Sequence, residues 1–323
     1  MGFRGGAAIA SNTTSSNPGG PGYLGSYDST EGSEKGEGIG GFHPEYDAIF
    51  SRYCRGALAN GGGGANYHNA GGGGGSNVGV GTFTSSGVPD PGGTNQYAPA
   101  WNLDDPTLLT NPSPGGGRGG YSHAVVNNDP TVVEPNDNAW GGDYRRLSFG
   151  VGGHALTYDP DRIFMGGGGG GGHQNDGQGG DGGRGGGIIM LQVYGEISGN
   201  GSIFANGENG GDATGPTPGI STKTGDDGAG GAGAGGAIHI SNNNTIPATI
   251  DIIAEGGEGG SQNLQVGFLA GDQVDGPGGG GAGGMVAFTN GTPNQSVAGG
   301  LAGTTNSNFV TNFPYNGATG GAS

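Results

Sequence analysis

Short apolar runs alternate along this chain with long stretches that contain almost no large side chain. Three of the apolar runs, at residues 188–193, 237–240 and 285–289, each follow a glycine run that opens with Asp-Gly. The opening residues are Asp181, Asp227 and Asp275. Their spacing of 46 and 48 residues lies within the range that is typical of repeat proteins. The pattern therefore predicts one structural unit written three times.

Each unit has a second half that begins with another short apolar run. Residues 202–207, Ser-Ile-Phe-Ala-Asn-Gly, align with residues 251–256, Asp-Ile-Ile-Ala-Glu-Gly, and both open a further glycine segment. The order strand, turn, strand, glycine segment predicts an all-β fold of short strands in repeats of about 47 residues. Neither a heptad nor a long amphipathic pattern is present, so we expect almost no α-helix.

The glycine runs allow two interpretations, because glycine forms both flexible linkers and polyproline-II-type helices. Glycine accounts for 87 of the 323 residues, and runs occur at 61–64, 71–75, 166–172 and 278–281. No Gly-X-Y register is present, which excludes collagen. The runs lead directly into Ile, Met, Leu, Val and Phe rather than into polar residues. We therefore favour ordered polyglycine-II segments, in a β-solenoid-like fold or a glycine-helix bundle.

The composition divides the chain into four predicted regions. Residues 1–58 form an N-terminal capping segment, residues 59–80 and 164–290 form the glycine-rich scaffold, residues 81–163 form an irregular insertion, and residues 291–323 form a C-terminal strand or linker. The last strand of the chain is expected around Phe309, Val310 and Phe313.

The charge and the composition exclude several classes of partner. The formal net charge is −17, so nucleic acid is not an expected partner, and no apolar run is long enough to insert into a membrane. Cys54 is the single cysteine, which leaves no internal disulfide. The first residues lack the apolar core of a signal peptide. The chain is then a piece of a longer secreted protein, or it leaves the cell by another route, or it stays inside.

Candidate site residues are few, and their spacing favours structural roles. Glycine runs flank His68 and His173 in a repeated Gly, His, Asn order, which predicts turns held by imidazole hydrogen bonds; a shared metal site is the alternative. Asp181, Asp227 and Asp275 are structural candidates as well. Scattered acids offer a weak Ca²⁺ site without EF-hand order, and solvated loop acids are the favoured interpretation. These acids are Asp104, Asp105, Asp159 and Asp161.

The sequence contains no motif that predicts catalysis. A P-loop string and a His-Glu-x-x-His string are both absent, and no Gly-x-Ser-x-Gly stands between a strand and a helix. Matches to Gly-x-Gly-x-x-Gly carry no weight in a chain so rich in glycine. We therefore expect a protein that is not an enzyme and that has no cofactor.

The glycine-rich strings themselves resemble a known class of module. Residues 197–211, 227–240 and 59–75 look like the glycine-rich modules of large secreted bacterial surface adhesins, of the Bacteroidota type IX-secreted and gliding-motility kind. The resemblance covers roughly residues 55–80 and 162–290. Glycine-rich domains of phage tail-tip adhesins and of an animal receptor tyrosine kinase ectodomain are similar in kind, and there polyglycine-II helices pack in a lattice. The resemblance implies an extracellular location.

These observations favour a non-enzymatic structural or adhesion module at the cell surface, whose glycine-rich scaffold displays a binding surface. Surface glycans or other proteins are the expected partners, within a longer chain or assembly. One alternative is a subunit of a polymeric extracellular fibre. Another is a β-solenoid carbohydrate-active enzyme that uses paired acids on one face, among Asp251, Glu255 and Glu258.

Overall fold

The computed structural model confirms an all-β fold. It describes residues 2–10, 32–41, 53–57, 59–66, 69–78, 115–123, 148–158, 162–174, 177–214, 227–263, 274–310 and 314–323. Within these ranges there is no α-helix, and a single 3-10 turn spans Asn308–Val310. The strands are β1 (Ile9–Ala10), β2 (His173–Gln174), β3 (Ile188–Val193), β4 (Gly201–Phe204), β5 (Ala237–Asn242), β6 (Ile250–Ile253), β7 (Met285–Phe288) and β8 (Asn294–Ser296).

All of these strands pair in parallel. β1 pairs with β2, β3-β5-β7 form one three-stranded sheet, and β4-β6-β8 form another. The register pairs residues that the sequence alignment equates: Ile188 lies opposite Ala237, which lies opposite Met285. In the other sheet, Ser202 lies opposite Asp251. We call residues 179–213, 227–262 and 275–305 the first, second and third units.

Segments rich in glycine lie side by side and join through backbone hydrogen bonds that recur every third residue. The amides of Gly166, Gly169 and Gly172 donate to the carbonyls of Gly186, Gly183 and Gly180. The amides of Gly167 and Gly170 instead donate to segment 71–77, and those of Gly168 and Gly171 donate to segment 33–38. A period of three means that each segment offers three rows of donors, which point in three directions.

The hydrogen-bond partners arrange the segments in four stacked layers. Segment 166–173 has six neighbours: it donates to three of them and accepts from segments 2–8, 60–65 and 227–236. The first layer holds 205–213, 254–262 and 297–305; the second holds 179–187, 227–236, 275–284 and 316–322; the third holds 2–8, 166–173, 71–77 and 115–121; the fourth holds 33–38, 60–65 and 148–154.

Glycine is required at most positions of a segment that has neighbours on all sides, although segment 227–236 also holds the buried Ala229, Ala232 and Ala234. A Cβ atom built on Gly170 would lie less than 3.0 Å from the carbonyl of Gly63 and from the amide of Gly64. Real Cβ atoms essentially never approach other atoms so closely. The backbones can therefore exchange hydrogen bonds at this spacing only when side chains are absent.

The larger apolar side chains collect where the glycine segments run on into strands. β3, β5 and β7 continue three segments of the second layer, and β4, β6 and β8 lead into the segments of the first layer. The two sheets enclose one apolar core. Its buried members are Ala205, Ile238, Ile240, Ile246, Ile250, Ile252 and Ala254, and Ile189, Val193, Ile203, Val286 and Phe288 pack against them.

The glycine scaffold extends beyond the predicted boundaries. Segments 115–121 and 148–154 lie inside the predicted insertion, yet both join the layers, for example through Gly116 donating to Gly153. The predicted capping segment contributes segments 2–8 and 33–38, and the predicted C-terminal linker contributes segment 316–322. Two or three turns of glycine-rich backbone suffice for a place in a layer, so short runs such as Gly115–Gly117 join it.

The end of the chain also departs from the prediction. A strand was expected around Phe309, Val310 and Phe313, but Asn308–Val310 form a 3-10 turn. Val310 is buried against Val274, so packing of a single apolar residue replaces strand pairing there. Phe313 lies outside the described residues.

Replacing Gly170 with alanine tests the packing between layers. We expect Gly170→Ala to lower the free energy of unfolding by about 3 kcal/mol, because its Cβ meets the backbone of Gly63 and Gly64, which is held in the fourth layer and cannot withdraw. Gly195→Ala is the matched control, since a Cβ there has no atom within 4 Å and should change stability by less than about 0.5 kcal/mol. Urea denaturation measures both. Equal stability of the two variants would contradict the packing described here.

Lys35 is a buried cation of the fourth layer. Burial lowers the pKa of Lys35 from 10.5 to about 8, and the neighbouring Cys54 opposes that shift in part. Between pH 8 and 10 the unfolded chain therefore binds a proton that the folded chain has released. Stability contributed by such a group rises with pH across that window.

Lys35→Met removes this titration. We expect the free energy of unfolding of the wild-type chain, measured relative to that of Lys35→Met, to rise by about 2 kcal/mol between pH 7.5 and 10. Burial raises the pKa of Tyr158 to about 12, so Tyr158 titrates only above this pH window. Urea denaturation at several pH values measures the difference. Parallel pH profiles for the two proteins would contradict the burial of a titrating Lys35.

Candidate binding surface

The first layer carries the most regular array of polar side chains in the described structure. We define the ladder face as the outward side chains of β4, β6 and β8 together with those of segments 205–213, 254–262 and 297–305. Parallel pairing aligns the three units, so equivalent side chains form rows across the face. From the strands to the far end the rows are Ser202, Asp251 and Asn294; Phe204, Ile253 and Ser296; Asn206, Glu255 and Ala298; Asn209, Glu258 and Leu301; and Asp212, Ser261 and Thr304.

The rows exist because outward amides at the edge of the layers need acceptors. The amides of Glu255, Glu258 and Ser261 point away from the other segments. The side-chain oxygens of Asn206, Asn209 and Asp212 accept their hydrogen bonds, at 2.9, 2.9 and 2.7 Å. The amide of Thr304 is likewise bound by Ser261 Oγ at 3.1 Å. Each unit thus supplies acceptors to the unit after it.

The strand end of the ladder face places acids in fixed positions. Asp251 accepts hydrogen bonds from Ser202 Oγ at 3.2 Å and from Asn294 Nδ2 at 3.1 Å. Ser296 Oγ donates to a carboxylate oxygen of Glu255. Asp251, Glu255 and Glu258, which the sequence analysis grouped, therefore do lie on one face, and the first two are held by their neighbours.

The face is acidic and largely free of compensating charge. Residues 227–305 contain no lysine and no arginine. In the first unit, Arg184 Nε lies 4.0 Å from Glu208 Oε2, and both side chains are more than half exposed. Carboxylate and amide oxygens at fixed spacing accept hydrogen bonds from hydroxyl or amino groups. Phe204, 57% exposed, adds an apolar contact beside them.

The three aspartates that open the units all join their own segment to another. Asp181 Oδ1 accepts from the Ala8 amide at 2.7 Å, and buried Asp227 accepts from the Gln178 amide at 2.8 Å. Asp275 is also buried and contacts His123. Each of these contacts links parts of the chain that are distant in sequence.

Of the other site residues that the sequence predicted, only His173 has a described position. His173 is buried in β2, and its Nδ1 accepts a hydrogen bond from the Asn69 amide at 3.1 Å. His68, Asp104, Asp105, Asp159 and Asp161 lie outside the described residues. Among the residues with described positions, no group of three or more His, Cys, Asp or Glu side chains could hold a metal ion.

The structure adds a buried polar cluster that sequence reasoning missed. His123 Nδ1 lies 2.9 Å from Asp275 Oδ1, and Gln262 Nε2 donates to Asp275 Oδ2 at 2.7 Å. Asn316 Nδ2 donates to the Asp275 carbonyl at 2.9 Å. The cluster joins four separate parts of the chain at one end of the layers. No sequence signal connects these residues, because layer stacking alone brings them together.

Comparison of the chain with protein-family models, with curated proteins and with solved structures finds no match. No helix within the described ranges is long and apolar enough to cross a membrane.

Substitutions at Asn209 test the acceptor rows of the ladder face. We expect Asn209→Ala to lower the free energy of unfolding by about 1 kcal/mol, because the Glu258 amide loses its acceptor. Asn209→Asp keeps an acceptor oxygen and should retain most of the stability. Hydrogen exchange at the Glu258 amide should accelerate in the alanine variant alone.

Asn243→Ala, an exposed position with no such contact, is the matched control and should change stability by less than about 0.5 kcal/mol. Unchanged exchange at Glu258 in Asn209→Ala would show that the row does not form in solution.

Proposed function

We propose that this chain is a non-enzymatic structural or adhesion module at the cell surface, in which a stack of polyglycine-II helices displays the ladder face. The observation that carries the proposal is the ladder face itself: a flat array of polar side chains, fixed at both ends by backbone pairing. An array held in this way loses little conformational entropy when it binds a partner.

The assignment of polyglycine-II helices rests on the hydrogen-bond period. Polyproline-II-type helices have three residues per turn and a rise of about 3.1 Å. Donor rows that recur at every third residue match that repeat. Side chains at Asn206, Asn209 and Asp212 would then stand about 9 Å apart along the face. The pairing of each segment with several neighbours favours a helix bundle over a β-solenoid.

Surface glycans are the ligand class that the face fits best. Sugar hydroxyls can donate to Asp251, Glu258 and the Asn side chains, and a sugar ring can pack on the exposed Phe204. Other proteins with basic or hydroxyl-rich surfaces are the second class. The acidity of the face disfavours nucleic acid as a partner.

An extracellular location is proposed from the resemblance to secreted surface adhesins, and the negative net charge suits such a protein. Protease treatment of intact cells that produce the chain would test the location. Cleavage of the chain while cytoplasmic proteins survive is the expected result. Complete protection of the chain until the cells are lysed would contradict it.

Retention on polysaccharide-coated surfaces tests the function. We expect beads that carry the chain to bind at least one surface glycan. We expect the double variant Phe204→Ala/Glu258→Gln to lower retention at least about tenfold, through loss of ring contact and of an acceptor. Ile39→Ala, an exposed apolar position just after segment 33–38 and away from the ladder face, is the control and should bind like the wild type. Equal retention of all three proteins would refute the role of the ladder face.

The alternative of a carbohydrate-active enzyme gains one observation, namely that Asp251, Glu255 and Glu258 share a face. Incubation of the chain with the same polysaccharides distinguishes the enzyme from the adhesion module, because hydrolysis would release new reducing ends. Loss of that release in Asp251→Asn or Glu258→Gln would establish the enzyme and overturn the adhesion module. We expect no release.

A further inference from the structure

Two rows of the ladder face present the same order of chemical groups across the three units. In each row a carboxamide of the first unit is followed by a carboxylate of the second and by an apolar side chain of the third. The rows are Asn206, Glu255 and Ala298, and Asn209, Glu258 and Leu301. Backbone hydrogen bonds fix this alignment, since the Gly210 amide donates to the Glu258 carbonyl and the Gly259 amide donates to the Leu301 carbonyl. Neighbouring groups in a row therefore start from backbones about 5 Å apart.

The backbone of the second unit decides which way the two carboxamides point. Oδ1 of Asn206 accepts a hydrogen bond from the Glu255 amide at 2.9 Å. Oδ1 of Asn209 accepts from the Glu258 amide at the same distance. Only the oxygen of a carboxamide can accept from a backbone N–H, so each Nδ2 group lies on the side away from that amide. Both side chains are exposed, and the first unit therefore contributes a hydrogen-bond donor to each row.

The second and third units add an acceptor and an apolar group to each row. The carboxylate of Glu258 is exposed and can only accept hydrogen bonds. Glu255 accepts from Ser296 Oγ through one carboxylate oxygen, which leaves the other for a ligand. Leu301 is 58% exposed, and Ala298 is exposed beside it. From the first unit to the third, each row thus presents a donor, an acceptor and an apolar surface.

An acetamido group carries the complementary groups in the same order. In a planar trans amide the carbonyl oxygen lies on one side of the C–N bond, and the N–H and the methyl group lie on the other. The oxygen can accept from Asn209 Nδ2, the N–H can donate to Glu258, and the methyl group can pack on Leu301. A hydroxyl group in the same place has no methyl to cover the apolar surface, so it uses less of the row.

We propose that the ladder face binds glycans that contain 2-acetamido sugars, with one acetamido group in each of the two rows. This inference rests on the proposed function and specifies its ligand class. Asn206 and Asn209 are three residues apart, so the two rows lie about 9 Å from each other. In a β-1,4-linked chain successive sugars face opposite ways, and every second acetamido group is on the same side. A tetramer therefore presents two acetamido groups to the face.

The next row towards the far end of the layers does not continue the pattern. Asp212 takes the place of asparagine there, and its side chain has no donor. Its two carboxylate oxygens accept from the Ser261 amide at 2.7 Å and from Asn263 Nδ2 at 3.1 Å. Ser261 and Thr304 complete the row and are neither acidic nor wholly apolar. The proposed site is therefore limited to two rows.

Isothermal titration calorimetry with two tetramers of the same linkage tests the proposal. One is the β-1,4-linked tetramer of N-acetylglucosamine. The other is the β-1,4-linked tetramer of glucose, which has a hydroxyl in place of each acetamido group. Both are uncharged, so the acidity of the chain does not favour either. We expect the Kd of the acetylated tetramer to be at least about tenfold lower than that of the glucose tetramer, because only the former fills the donor, acceptor and apolar positions together.

Asn209→Asp separates ligand binding from the stability of the row. It keeps an oxygen for the Glu258 amide but replaces the donating Nδ2 with a second acceptor. We expect it to raise the Kd of the acetylated tetramer at least about tenfold. Asn200→Asp makes the same change of charge at an exposed position just before β4 and should leave that Kd unchanged.

The outcomes distinguish the inference from the proposed function. Equal affinity for the two tetramers, or an Asn209→Asp variant that binds the acetylated tetramer like the wild type, would overturn the inference and leave the ladder face as a general glycan-binding surface. Binding of neither tetramer by a chain that is still retained on other polysaccharides would also overturn the inference alone. A chain that binds neither tetramer and no polysaccharide surface would refute the proposed function as well.

Discussion

The hydrogen bond from one glycine backbone to another is the interaction on which the rest of this structure depends. In a central segment such as 166–173, successive amides point in three directions, and carbonyls fill the directions between them. Every buried polar group of the backbone is then satisfied by a neighbouring segment rather than within its own. At most positions the separation leaves no room for a Cβ atom, as at Gly170. The high glycine content is the direct consequence, in spite of the entropy that glycine loses on folding.

The acidity of the chain follows in part from the same constraint at the boundary. An outward amide has no neighbouring backbone, so an acceptor side chain from the adjacent segment binds it. Glu37 and Glu34 bind the amides of Arg4 and Ala7 in this way, and Asp212 binds that of Ser261. Asn209 does the same without a charge. Acceptor side chains without a donor group are suited to this place, which lysine and arginine cannot fill.

The two three-stranded sheets supply the hydrophobic core that the glycine layers lack. Glycine segments bury hydrogen-bonded backbone with few large apolar side chains, Tyr121, Phe149 and Val151 among them, so the main hydrophobic cluster is the core around Ile238, Ile240 and Ile252. Because strands and glycine segments are continuous, the parallel register of the strands also fixes which residues of the first layer meet. The rows of the ladder face are a product of that register.

The sequence by itself determined the all-β fold, the absence of α-helix in the described residues and the alignment of the units. These features depend on local patterns: glycine runs, short apolar runs and the spacing of Asp181, Asp227 and Asp275. The same patterns grouped Asp251, Glu255 and Glu258. Only the tertiary structure decided that segments 115–121 and 148–154 join the layers and that His123 meets Asp275. The reason is physical: a glycine segment carries no side chain that specifies its neighbour, so its place in a layer is set by the elements at its ends and by stacking, neither of which leaves a periodic signal in the chain.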